Sequence, residues 1–170
     1  MDASGLFLDY SARKLRQLTE RIEDCLSRLN DDQIWSRGGP SENAVGNLVL
    51  HLNGNVRQWI LSAIAGDADT RRRDAEFAAA GALSKDALRA TLRTTVEQAV
   101  AVLDALPAHR LTGSISPQNY SVTVLEAVYH VVEHFSGHTG QIIFATKMLT
   151  GQDLGYYRHL KAGAHSEATP

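Results

Sequence analysis

An all-α protein folded as a four-helix bundle is what this sequence predicts, on three observations. Four long stretches repeat apolar residues at intervals of three and four, the spacing that builds one buried face on a helix. Glycine, proline or capping residues stand at the ends of these stretches. No segment alternates apolar and polar residues between turn signals, so four helices and no strand are expected.

Helix one runs from Leu6 to Leu29, with Leu15, Leu18, Ile22 and Cys25 on its inner face and Arg16, Glu20 and Arg28 on others. Asn30–Pro40 strings turn residues around Ile34 and Trp35 and reads as a loop with two apolar anchors. Helix two follows a Ser41 or Asn43 cap, carries the stripe Val45, Leu48, Val49, Leu52, Val56, Trp59, Ile60 and ends at Gly66. The charged stretch Asp67–Leu83 is too long for a tight helix–helix link, which predicts a crossover joining two parallel helices. Its Arg71–Arg73 run reads as solvated surface and receives no role.

Helix three starts at a Ser84 cap and keeps its period through Leu88, Leu92, Val96, Ala99 and Leu103 until Pro107. After the loop Ala108–Tyr120, Ser121 or a Thr123–Glu126 capping box opens helix four, which Gly151 stops. Its stripe is Val124, Val128, Val131, Phe135, Ile142, Ala145 and Leu149. Gly155–Leu160 has the aromatic bulk to pack back on the bundle, giving one domain over residues 1–160 and a disordered tail over 161–170.

Helix four carries the chemistry. His130, His134 and His138 recur every fourth residue in YHVVEHFSGHTGQ, about 12 Å of axis from first to last. Metal–imidazole bonds of about 2.0–2.1 Å let one ion bridge neighbours four apart, but not the outer two, so His134 belongs to any site. The apolar stripe points about 20° from His138, about 60° from His134 and about 100° from His130, which makes His134 and His138 the inward pair. His51 on helix two is the third imidazole, flanked by Asn47 and Asn55 on a polar edge, with Gly54 leaving space over its ring.

Three imidazoles between facing helices suit one divalent ion per chain, zinc, nickel or iron, with a coordination position left open for water or substrate. His130, Gln141, Asn47 and Asn55 then form the pocket wall around it or support its ligands from behind. The plainer alternative is that each histidine only hydrogen-bonds its neighbours on a buried face. Glu133 turns about 100° away from His134 and is a poor base for such an ion.

Composition narrows the class. A net charge of −2 and a pI near 6.4 leave no footprint for nucleic acid or an anionic membrane. No apolar run approaches a membrane span and Met1–Gly5 does not open a signal peptide, so the expectation is a soluble, cytoplasmic protein. A single cysteine, Cys25, excludes an internal disulfide and a thiolate cluster and reads as core. His109, His159 and His165 read as surface.

NLVLHLNGNVRQWI around His51, HVVEHFSGHTGQI around His134 and His138, and TKMLTGQDLGYYRHL behind them resemble the DinB-like (YfiT-type) family of metal-binding four-helix bundles. The likeness spans nearly the whole chain. It implies an up-down-down-up bundle, a divalent metal on His51, His134 and His138, and a homodimer. Relatives with known activity are transferases and isomerases using a low-molecular-weight thiol, and others are described as metal-dependent hydrolases. Two functions are therefore expected to compete: a metal-dependent transferase or hydrolase of a small molecule, and a non-catalytic, stress-related bundle in which the metal only staples helices together for a partner.

Overall fold

The computed structural model describes residues 2–81 and 83–158. The expected tail over 161–170, with His159 and His165, lies outside the described residues. The protein is all-α in class, with one very short strand pair.

Helix α1 (Ala3–Arg28) begins at Asp2, whose carboxylate accepts the Gly5 N–H at 2.8 Å. Where a loop was expected, α2 (Asp31–Trp35) adds a short helical segment. Asn30 and Gln33 close a reciprocal capping box that satisfies the orphan amides there, so turn-forming residues cap a helix instead of preventing one.

Helix α3 (Val45–Val56) starts one residue beyond the expected caps, at Ala44. Neither Ser41 nor Asn43 serves. Asn47 reaches back instead, its Oδ1 accepting the Ala44 N–H at 3.1 Å. The helix continues as a π-helical segment, Arg57–Ser62, and closes at Gly66, whose φ of 93° lets the Asp67 N–H bond the Leu61 carbonyl at 3.0 Å.

The crossover holds a further short helix, α4 (Arg73–Ala78), and α5 (Lys85–Ala105) opens on the Ser84 cap. Two 3-10 turns and an antiparallel pair, β1 (Ser114–Ile115) and β2 (Val122–Thr123), lead into α6 (Val124–Thr150). Strands of two residues are too short to show alternation, which is why the sequence hides them. Thr123 and Glu126, not Ser121, form the α6 capping box, and Gly151 ends the helix in the left-handed conformation.

Side-chain pairings fix the directions. Arg16 bonds Glu97 at 2.8 Å while Glu23 pairs with Arg93, so α1 and α5 are antiparallel. Arg28 reaches Gln152 at 3.3 Å and Gln33 reaches the Leu149 carbonyl at 3.3 Å, joining the C-terminal ends of α1 and α6. His51 faces His134, and Asn55 faces His130, so α3 runs against α6. The four long helices thus run up, down, down, up, with α1 and α3 each packed between α5 and α6. The crossover must climb the length of the bundle, and α4 lies along α3 as it does so.

The core is closed by Leu15, Ile22, Leu26, Leu52, Ile60, Leu92 and Phe135, all fully buried. Cys25 is buried with them, and burial pushes its thiol above the ordinary range. On α6 the core line runs through Thr139 and Thr146, not the exposed Leu149. Both hydroxyls bond back to a carbonyl four residues earlier at 2.8 Å, so the threonines enter the core with no unmet polar group.

Tyr156 locks the segment after α6 onto α1: its hydroxyl lies 2.8 Å from Asp24 Oδ2 and 3.1 Å from the Arg21 carbonyl. Tyr156→Phe leaves Asp24 without this partner and is expected to cost about 1 kcal/mol in urea unfolding, with helical circular dichroism unchanged.

Candidate metal centre

The site is built across the α3–α6 contact, where an apolar interface turns polar at one level. Antiparallel packing brings His51 opposite the His134–His138 turn, and one ligand atom from each of the three lies within 4.8 Å of the others. Ring centroids are 5.0 Å apart for His51 and His134, 5.1 Å for His51 and His138, and 4.5 Å for His134 and His138. Nitrogens bound tetrahedrally at about 2.0–2.1 Å stand about 3.3 Å apart. His51 Nε2 and His134 Nε2 are 3.0 Å apart, close to that spacing, and the three histidines could hold a metal ion.

What orients His51 was invisible in the sequence pattern. Glu76, from the crossover, places Oε2 3.0 Å from His51 Nδ1. The carboxylate accepts Nδ1–H, which leaves the Nε2 lone pair pointing at the other two histidines. Arg71 grips the same carboxylate through two bonds, Nε to Oε1 at 2.8 Å and Nη2 to Oε2 at 2.9 Å. The Arg71 side chain is only 3% exposed, so the first arginine of the supposed surface run is buried and structural. Burial alone would raise the Glu76 pKa, but the bonds from His51 and Arg71 outweigh it and hold the carboxyl below its ordinary range.

Two neighbours make room for Glu76 and hold its backbone. A Cβ on Gly54 would lie 2.0 Å from Glu76 Oε1 and 2.9 Å from Arg71 Nε, so the space the glycine leaves is filled by this ion pair. Asn47 donates to the Glu76 and Ala79 carbonyls at 2.9 and 2.8 Å, while its Oδ1 accepts from Ala44 and, at 2.8 Å, from Arg37. With both ends of its amide committed, Asn47 ties the crossover, and with it Glu76, to α3.

Among the other expected pocket residues, Gln141 meets the site through His138, accepting Nδ1–H at 2.8 Å and leaving that ring's Nε2 free. His130 stands one turn further along and outside the converging group. Its ring lies 4.1 Å from Trp59 and 5.4 Å from His134, centroid to centroid, with Asn55 Nδ2 3.5 Å from its Nε2. Asn55 Oδ1 and Trp59 Nε1 are buried beside it without a partner among the described residues. Phe77 closes the far side of the His51 ring at 4.7 Å.

The electrostatics favour the neutral form of the three α6 imidazoles, His130, His134 and His138. Burial, then the neighbouring His138, His51 and His130 and finally Arg71, hold His134 down to about 3. Burial lowers His138 and His130 as well, partly opposed at His138 by the Gln141 bond. Neutral imidazole is the ligand form, so at neutral pH these rings need not shed a proton to bind an ion.

Gly54→Ala tests this construction. Glu76 must withdraw from His51, which is expected to lower stability by about 1–3 kcal/mol and to weaken zinc binding by about 10–100-fold, read by denaturant unfolding and by competition with a chelating dye. Zinc affinity equal to wild type would show that Glu76 does not orient His51.

Comparison with known proteins adds fold and family. The structure resembles the crystal structure of a conserved protein from Enterococcus faecalis, with a TM-score of 0.69 over 89% of this chain and 99% of that one; at 18% identity the likeness is one of fold. No curated protein matches the sequence. Residues 2–160 match the family model DUF1572, described as a protein of unknown function. With the match running from the first turn of α1 to beyond Arg158, the chain belongs to the DUF1572 family.

Proposed function

We propose that this protein binds one divalent metal ion per chain on His51, His134 and His138, and uses it as a DinB-like transferase of a low-molecular-weight thiol or as a small-molecule hydrolase. The observation that carries this reading is the convergence of three imidazole nitrogens, one of them aimed by a buried carboxylate. A histidine merely satisfied in a core needs one partner; this arrangement commits the outer nitrogens of His51 and His138 to Glu76 and Gln141 and turns the inner ones toward a common point. Zinc, nickel and ferrous iron all accept such a donor set.

Bound there, a divalent ion would supply Lewis acidity that favours deprotonated water or thiol near neutral pH. The chain's own residues do the rest. Glu76 and Gln141 hold two rings in the tautomer that presents Nε2. His130, with Asn55 and Trp59 behind it, offers a polar edge beside the histidines where a substrate's carbonyl or hydroxyl can be oriented. Phe77 excludes water from the back of His51. The competing reading, a non-catalytic bundle stapled by metal, is favoured by the absence, among the described residues, of a carboxylate within the converging group.

One experiment set separates them. Purified protein is expected to carry about one zinc, nickel or iron per chain, with His134→Ala and His138→Ala losing it and His130→Ala retaining most of it. Metal-loaded protein should then turn over one panel among thiol-plus-electrophile, ester and amide substrates. Full metal retention in His134→Ala would sink the site. Metal binding with silence in every panel would leave the stapled bundle as the better account.

A homodimer is also proposed. Tyr129, Phe144 and Met148 are 61%, 67% and 71% exposed along α6, and large exposed apolar patches mark interaction surfaces. Light scattering at micromolar concentration should give twice the chain mass for wild type and the single chain mass for Phe144→Asp; a monomeric wild type removes the claim.

A further inference from the structure

Behind the metal centre lies a cavity of about 310 Å³, between the π-helical end of α3 and the first stretch of the crossover. None of the three converging histidines lines it. Its floor is the Arg71–Glu76 pair, so the His51 ring and Glu76 separate it from the nitrogens that face α6. Leu50, Leu61 and Ala75 give it apolar walls. The volume is at the low end of small-molecule pockets, about 300 Å³ and upward.

The charges around it are unequal. Asp69 is spent on Gln58 Nε2 at 2.7 Å and on the Arg71 backbone N–H at 3.0 Å, and Glu76 is spent on His51 and Arg71. Arg57 and Arg72 line the cavity and are exposed, and their guanidinium groups have no ion-pair or hydrogen-bond partner among the described residues. Of the three acids in the lining, Asp67 alone has a carboxylate with no partner among the described residues. In the same wall the Asn53 side-chain oxygen is buried with no donor, an unmet acceptor of the kind that proteins rarely leave without cause.

We propose that this cavity binds a small organic monoanion: a carboxylate held by Arg57 and Arg72, an apolar body against Leu50, Leu61 and Ala75, and a hydroxyl or amide N–H donated to Asn53 Oδ1. Guanidinium forks match a planar carboxylate, and two of them at one mouth favour an anion. Asp67 in the same lining disfavours a dianion, which is why a monocarboxylate is preferred to a phosphate ester. The site stands on the cavity and its lining, and not on the reading of the histidines as a metal centre.

The test uses 15N-labelled full chain, with and without added zinc, titrated with 4-hydroxybenzoate, 3-hydroxybenzoate and 4-hydroxyphenylacetate, and with the corresponding uncharged amides. At least one acid should give saturable shifts at the amides of Asn53, Ser62, Thr70 and Ala75 below about 10 mM, with the matching amide at least tenfold weaker. Arg57→Gln combined with Arg72→Gln should weaken that binding at least tenfold with helical circular dichroism unchanged, and Asn53→Leu should weaken the hydroxy acid more than its deoxy analogue. No saturable shift from any acid, equal binding of the amides, or unchanged binding in the double arginine variant would overturn the proposal. Zinc-independent shifts at these amides would support it even if the histidines hold no metal.

Discussion

One buried carboxylate, Glu76, governs much of this structure. A lone charge with a side chain 10% exposed would cost several kcal/mol. It is stable here because the Arg71 fork and the His51 Nδ1–H satisfy it together. Each partner then depends on it in turn: Arg71 is itself almost wholly buried, and His51 is held in the one tautomer that offers Nε2 to α6. Removing the carboxylate would leave a buried guanidinium unpaired and a ring free to rotate.

The same contact explains the crossover. A connection that only spanned the bundle could hang loosely over its surface; this one is pinned to α3 by the ion pair and by Asn47, which bonds the Glu76 and Ala79 carbonyls. Gly54 makes the approach possible, since any side chain there would occupy the place of the carboxylate. Three residues of one helix, Asn47, His51 and Gly54, thus share one task over two turns, and the helix presents His51 Nε2 on one side while holding the crossover on the other. The cavity beside the Arg71–Glu76 pair is enclosed by the same docking, which is repeated toward Gly66 where Asp69 and Arg71 both bond the Gln58 side chain.

Much of the fold was legible because helices announce themselves locally. The apolar stripes of α1, α3, α5 and α6, the Ser84 cap and the Gly66 and Gly151 stops depend on neighbours a few residues away, and so does the fourfold spacing of His130, His134 and His138. The misread pieces were short or compensated: α2 rests on a single capping box, β1 and β2 on two residues each, and Thr139 and Thr146 hide their hydroxyls in their own helix. Helical spacing puts Asn47 beside His51, as pocket wall or as support behind the histidines; spacing cannot say whether an amide faces a cavity or a carbonyl.

Sequence by itself determined the helical class, the bounds of the long helices within a few residues, and the candidacy of His51, His134 and His138, since periodicity and reach are local geometry. Only the tertiary structure decided that Glu76 and Arg71 stand behind His51, that Gln141 serves His138, and that His130 turns to Trp59. Those pairings join residues 25, 20 and 71 positions apart or select one neighbour among several, and no local rule chooses them. They are chosen by which segment the crossover lays against α3 and by the desolvation cost that any unpaired charge there would carry.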